Sequence, residues 1–365
     1  MLARGLAQRG WQILFVSHPI SPLHITSWKD QEFQERLRIH KARGVVDCDG
    51  NLRSYVPFTL IPPHSYPITR SAWVHNNWYR LTFPRLVEQV KEQGFTDVDL
   101  LYFDNPLQNF WLSTVSRKRA IYRMTDNISG YQKNTMSTIA SEALLCRSVD
   151  IVLCTARSLM PRARMLGAKS PHYFPNGVEL AHFQEDQRPA PDVYAEIASP
   201  RVIYVGEMAE RFDFVLVKKL AQKLPNVSFI MIGPCSVARK ELAGINNVHV
   251  LGSVPYDNLP PYIRHSDVGI IPFRVKEKAA LVGGVNPLKL YQYLASGIQV
   301  VSVKWPEIEG LESPAFLCET DDEFIAAVRR ALGNGLIERS AAERVLADKD
   351  WSGRVSELEG FVLPS

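Results

Sequence analysis

A chain of 365 residues, 46% of them apolar, exceeds the size at which a single hydrophobic core stops growing, so two domains are the default. No stretch reaches the roughly 18 apolar residues of a membrane-spanning helix and no charged-then-apolar leader opens the chain, so the expectation is a cytoplasmic protein, neither secreted nor membrane-spanning. The net charge of +4 is uneven, with 22 Lys/Arg against 14 Asp/Glu in residues 1–184 and 20 against 24 in residues 185–365.

A basic first half suits a phosphate-bearing ligand or the anionic inner face of the plasma membrane, and scattered solubilising charge is the plainer alternative. No helix-turn-helix, zinc-finger or RNP pattern accompanies the charge, so no nucleic-acid partner is expected. In chain order, residues 2–9 read as a helix stopped by Gly10, and residues 11–16 as an apolar strand. A doubly wound domain opens on a strand and a glycine-rich turn, so the reading expects a first strand that is upstream or lacking. Strand signals follow at residues 99–103, 119–123 and 149–154 with helical patterns between them, which argues for a parallel sheet.

Residues 184–199 are polar and proline-rich and read as a connection. The alternation then restarts: strands at 201–206, 227–233, 248–252, 268–273 and 299–303, with helices over 214–224 and 288–295. The fold class expected is α/β, two Rossmann-like doubly wound parallel-sheet domains over 1–184 and 200–349, facing across a cleft. Asp350-Trp351 and the helix to residue 365 are expected to pack back on the first domain. The five cysteines, Cys48, Cys146, Cys154, Cys235 and Cys318, form no CxxC and read as buried free thiols rather than as disulfides or a zinc site.

Three strands of the second half end at Gly206, Gly233 and Gly252, where open α/β sheets bind ligands and where glycine lets backbone amides approach a phosphate. The same glycines are equally at home in ordinary turns. GxGxxG and GxxxxGK[ST] are both missing, which argues against a dinucleotide dehydrogenase and a P-loop ATPase. In Gly283-Gly284-Val285-Asn286-Pro287-Leu288-Lys289 a lysine falls in the first turn of a helix, where the helix dipole disfavours a cation, so an external anion would explain it. Gln292 lies one turn later on the same face. A solvated surface lysine is the alternative.

That stretch resembles the donor-binding signature of GT-B glycosyltransferases, as do Tyr173-Phe174-Pro175-Asn176-Gly177-Val178, Leu251-Gly252-Ser253-Val254-Pro255-Tyr256 and Ser266-Asp267-Val268-Gly269-Ile270-Ile271-Pro272-Phe273. The resemblance implies a nucleotide-sugar donor, a UDP-sugar for choice, held by the C-terminal domain and a saccharide or lipid-linked acceptor held by the N-terminal one. Within GT-B, Leu288-Lys289-Leu290-Tyr291-Gln292-Tyr293 and Tyr122-Arg123-Met124-Thr125-Asp126-Asn127 are similar to segments of the xanthan-assembly glucuronosyltransferase family. There the lysine and glutamine contact the donor and the aspartate is catalytic. Retaining GT-B enzymes carry two glutamates eight positions apart, where this chain has Gly284 and Gln292, so the expected reaction is inverting.

Asp126 also stands on its own, since it follows a strand and should lie at the carboxyl edge of the first sheet as general base, unless it caps a helix beginning at Ser129. The donor-side residues expected are Gly206, Glu207, Met208, Arg211, Val254, Phe273, Asn286, Pro287, Leu288, Lys289 and Gln292. Arg211 has two readings, a bidentate partner of a diphosphate or uronate, or a loop brace to Asp213 or Glu207. His18, after the first strand, is an acceptor-side candidate or a structural histidine. Trp73, Trp78, Tyr79, Phe83, Phe110 and Trp111, interleaved with Arg70, Arg80 and Arg85, suit a peripheral membrane contact or simply the core. No metal and no cofactor beyond the nucleotide sugar is expected, on the reading that the chain lacks a DxD pair. An epimerase of the same fold and an inactive sugar-nucleotide-binding protein remain the rival readings.

Overall fold

The computed structural model describes every residue except 28–30, 65–68, 132–133 and 363–365, and the chain divides into two compact units. The first takes residues 1–154 and 159–174 and resumes at Arg354; the second takes 155–158 and 175–353. Residues 175–184, expected with the first domain, lie with the second. The last helix, Trp351–Val362, changes unit after its first three residues, and residues 363–365 of the expected helix are outside the described ones.

Among the described residues the first unit holds seven strands: β1 (Ile13–Val16), β2 (Val45–Asp47), β3 (Leu52–Tyr55), β4 (Asp97–Phe103), β5 (Ser116–Met124), β6 (Ile151–Cys154) and β7 (Pro171–Tyr173). They form two sheets rather than one, ordered β1-β3-β2 and β4-β5-β6-β7. The second sheet is parallel throughout, while β2 runs antiparallel to β3 in the first. The short pair β2 and β3 carries Asp47, Arg53 and Ser54 among its few residues and lacks the apolar run that marks a buried strand. From Arg354 the last helix packs on the opening helix Leu2–Gln8. A Cβ on Gly5 would lie 2.4 Å from Val355, and Trp11 donates its indole N–H to Glu359 at 2.8 Å.

The second unit is a single six-stranded parallel sheet of β8 (Arg201–Val205), β9 (Ser228–Ile232), β10 (Val248–Gly252), β11 (Val268–Ile271), β12 (Gln299–Val303) and β13 (Phe316–Cys318), ordered β10-β9-β8-β11-β12-β13. Every residue of β9 and of β11 is buried, as continuous apolar runs covered on both faces require. The order proceeds outward from β8 in one direction and from β11 in the other, so the switch point at which such sheets bind ligands lies at the carboxyl ends of these two strands. The helix Leu288–Ala295 is fixed against them by Tyr293, whose hydroxyl accepts the Val205 N–H at 2.9 Å. Its ring occupies the space a side chain at Gly269 would need, an added Cβ falling 2.4 Å from it.

Candidate functional site

At the carboxyl end of β8 the backbone turns through Gly206, with φ at +141°, and at the end of β9 through Gly233, with φ at +144°. Neither conformation suits a residue with a Cβ. Gly206 donates to Ile232 O at 2.8 Å and Gly233 to Gly252 O at 2.9 Å, so the three glycines form a staggered rim along β8, β9 and β10. A Cβ on Gly233 would lie 2.1 Å from Gly206 O. The rim therefore leaves no room for side chains where the backbone comes closest.

Lys289 comes from the first turn of its helix and lays its ammonium on this rim. A Cβ on Gly206 would be 2.6 Å from both Cε and Nζ of Lys289. The ammonium faces the ring of Tyr204 at 5.2 Å and that of Phe273 at 5.5 Å, cation–π distances that partly offset its loss of water. Among the described residues no carboxylate lies within ion-pair distance of it. Desolvation, then the positive charge of Arg211, pushes the Lys289 pKa down to about 8, with Glu207 acting the other way. Two cations thus share one half-enclosed place.

Tyr204 was not foreseen. Its ring is fully buried and its hydroxyl donates to Glu207 O at 2.8 Å, holding the Gly206–Glu207 turn in shape. Glu207 itself is exposed. Asp213 caps the helix Phe214–Lys223 by accepting the Leu216 N–H at 2.9 Å, so its carboxylate already serves that helix. Phe273 bridges to Phe212 and stacks obliquely on Trp305 at 5.8 Å.

Other donor-side candidates are placed differently. Met208 is buried in the core at 1% exposure, Val254 is half-buried against that core, and Pro287 is buried. Leu288 is exposed, and Gln292 is half-buried on the Lys289 helix. Asn286 is buried with its side chain engaged on every side: it accepts from Asn176 N at 3.1 Å and donates to Tyr291 Oη and Glu307 Oε1, both at 3.2 Å. Its role in the structure is to hold the loop before Lys289.

In the first unit Asp126 stands two residues beyond β5 and is half-buried. The helix expected from Ser129 is a single 3-10 turn, Ile128–Gly130, whose N-cap is Asn127. The next α-helix begins only at Met136 and is capped by Thr135. Neither of these helices has Asp126 as its N-cap. His18 stands two residues beyond β1, its ring against the Asn105 amide at 2.6 Å and its carbonyl accepting from Arg36 at 2.6 Å. Desolvation, then the Arg36 charge, holds the imidazole pKa below its ordinary value. Its partners do not include Asp126.

The aromatic stretch divides. Trp78, Phe110 and Trp111 are core, with Tyr79 stacked on Phe110 at 4.1 Å, whereas Trp73 and Phe83 are 60% and 76% exposed. Leu60 and Met136 are also exposed. On the antiparallel bridged segments around Thr59 and Thr82, Phe83 lies opposite Phe58 and Leu60 opposite Leu81, and Ser137 bonds the Arg70 carbonyl at 3.4 Å.

The expectation about DxD pairs needs correcting, since Asp47-Cys48-Asp49, Asp97-Val98-Asp99 and Asp348-Lys349-Asp350 are such triplets. Asp47 pairs with Arg4, Asp99 with Lys118 and Asp348 with Lys349, and none belongs to the turns around Gly206 or Lys289. Among the described residues no group of three or more His, Cys, Asp or Glu is placed to hold a metal ion. All five cysteines are free thiols, Cys146, Cys154 and Cys318 buried and Cys48 and Cys235 only half-buried, which corrects the expectation that all are buried. No described helix is long and apolar enough to cross a membrane.

Comparison with known proteins bears on this geometry. Residues 1–155 match the family model of the N-terminal domain of glucuronosyltransferase GumK, and residues 199–334 match that of group 1 glycosyl transferases. A glycosyltransferase assigned to teichuronic acid biosynthesis, TuaH of Bacillus subtilis (strain 168), is 25% identical over 294 residues, covering 75% of this chain and 68% of that protein. Sucrose-phosphate synthase from Thermosynechococcus elongatus aligns over 99% of this chain and 90% of its own, with a TM-score of 0.71 at 16% identity. Anabaena HepE in complex with UDP and glucose aligns over 99% and 94%, with a TM-score of 0.65 at 12% identity. Likeness to these two structures establishes the fold, which is GT-B.

Proposed function

We propose that this chain, a glycosyltransferase of the group 1 type with the GT-B fold, moves glucuronate from UDP-glucuronate, with inversion, to a saccharide hydroxyl carried on a lipid in surface-polysaccharide assembly. The observation that carries the donor reading is the Lys289 ammonium laid on Gly206 near the charge of Arg211, with no carboxylate within ion-pair distance of Lys289 among the described residues. A half-buried ammonium held near a second positive charge, with no ion-pair partner of its own, is disfavoured unless an anion is its normal occupant. The diphosphate of a nucleotide sugar is that anion.

In this reading Asp126 takes the proton of the acceptor hydroxyl as its oxygen attacks the anomeric carbon. The bond from that carbon to the diphosphate oxygen breaks on the opposite face, and UDP departs with the electron pair. Lys289, Arg211 and the backbone amides near Gly206 stabilise the charge that builds on the leaving group, the role a metal fills elsewhere. UDP is favoured because HepE was solved with UDP, and glucuronate because the first unit matches a glucuronosyltransferase domain. The exposed Trp73, Phe83, Leu60 and Met136, in a unit rich in arginine, support a peripheral contact with the membrane that would carry a lipid-linked acceptor.

Calorimetric titration of wild type and Lys289→Ala with UDP, GDP and UDP-glucuronate tests the donor reading. The expected result is selective UDP binding, weakened at least tenfold, about 1.4 kcal/mol, in the variant. A folded wild type that binds no nucleotide would overturn it.

A further inference from the structure

The Lys289 helix begins without a side-chain cap, at Pro287. Its starting point is set instead by the loop of residues 283–287, which is held at three places. Gly283 O accepts from Ser158 Oγ at 2.5 Å, Val285 O from the Trp305 indole N–H at 3.1 Å, and Asn286 is held by Asn176, Tyr291 and Glu307. The Asn286 carbonyl adds a bond from Asn176 Nδ2 at 3.1 Å.

Glu307 stands out in this set as a carboxylate only 5% exposed, just beyond β12 in the short helix Pro306–Glu309. Both its oxygens are used: Oε1 accepts from Asn286 Nδ2 at 3.2 Å and Oε2 from the backbone N–H of Arg157 at 2.8 Å. A buried carboxylate that receives two N–H groups from separate stretches of chain fixes their spacing, because each would be left unsatisfied if it moved. One of those stretches ends two residues before the helix that carries Lys289.

We propose that Glu307 is a positioning residue for the donor site, acting through Asn286 to set where the Lys289 helix starts and hence where the ammonium meets the diphosphate. The inference rests on the donor reading of Lys289. Glu307→Gln keeps the size of the side chain but supplies one acceptor where two are needed. Glu307→Asp keeps the charge but withdraws it by one methylene, and serves should the glutamine variant fail to fold.

The test is UDP titration of wild type, Glu307→Gln, Glu307→Asp, Lys289→Ala and the Glu307→Gln/Lys289→Ala double variant, with thermal melts alongside and the pH dependence of binding for the folded variants. Either Glu307 variant is expected to weaken UDP binding three- to tenfold, and the double variant to bind no more weakly than Lys289→Ala alone, since one residue acts through the other. The pH at which UDP affinity begins to fall should also move upward in the Glu307 variants, because a displaced Lys289 regains water. Unchanged affinity and pH profile with only a lowered melting temperature would make Glu307 merely structural and overturn the proposal, as would additive losses in the double variant. Those results leave the donor reading intact if Lys289→Ala alone weakens binding. A wild type that does not bind UDP removes both.

Discussion

Lys289 and Gly206 occupy adjoining space so closely that a methyl group on the glycine would stand 2.6 Å from the lysine nitrogen. The absence of a side chain at one residue is thus what seats the charge of the other. Gly206→Ala must both strain a backbone at φ +141° and push the ammonium off the rim. The expected outcome is a loss of UDP affinity as large as that of Lys289→Ala, at least tenfold, with destabilisation of about 1–3 kcal/mol. Titration and denaturant unfolding measure the two effects separately.

The depressed pKa of Lys289 gives binding a pH dependence with a definite sign. An anion bound beside the ammonium favours its protonated form, so UDP affinity should be level below about pH 8 and fall as pH rises above the value of about 8 held in the free site. Lys289→Arg, which stays charged, should flatten that fall. Folding responds oppositely: the unfolded lysine keeps its proton up to its ordinary value, so this group adds stability as pH climbs from about 8 toward that value. Calorimetry from pH 6.5 to 9.5 resolves the first effect, and a loss of affinity that begins well below pH 8 would contradict it.

Asp126→Asn preserves shape and removes the base. Transfer to a saccharide acceptor should fall by roughly 10²–10⁴ while UDP binding stays within about twofold of wild type. Turnover that survives the change would move the base elsewhere on the first unit.

Trp73 and Phe83 present more than half of their surface to solvent. Replacing both by serine should reduce sedimentation with vesicles of anionic lipid at least fivefold and leave UDP affinity unchanged, since both belong to the unit that lacks Lys289. Wild type that ignores such vesicles at low salt would end the membrane reading.

The second unit was the more legible in sequence. Runs such as Val202-Ile203-Tyr204-Val205 and Phe229-Ile230-Met231-Ile232 are buried on both faces and closed by a glycine, so apolar run and punctuation coincide. Lys289 was legible because a cation in a first helical turn is locally unfavourable. Tyr204 and Glu307 were not. One looks like any core aromatic and the other like any surface acid until the fold brings them to Glu207 O and Asn286. The first unit was harder: β2 and β3 are short, carry charge and pair partly antiparallel, so neither period nor composition announced them. Asn286 shows a limit of motif reading, since its place in a donor-side segment says nothing of the three partners that already occupy it.

Among the described residues, the division of the first unit into two sheets leaves β1 and β4 each with a single ladder neighbour. Their carboxyl ends are linked by side chains, Gln108 reaching Val16 O at 3.0 Å and Asn105 reaching His18, while Phe15 remains 48% exposed. Strand margins of this kind are adhesive, because their amides and carbonyls accept another extended chain as readily as water. The amides of β1 and β4 should therefore exchange with deuterium earlier than those of β9 or β11. The same seam is where crowding of the purified protein should first produce β-paired aggregates, and where one further parallel strand, from whatever source, would lend the unit the most rigidity.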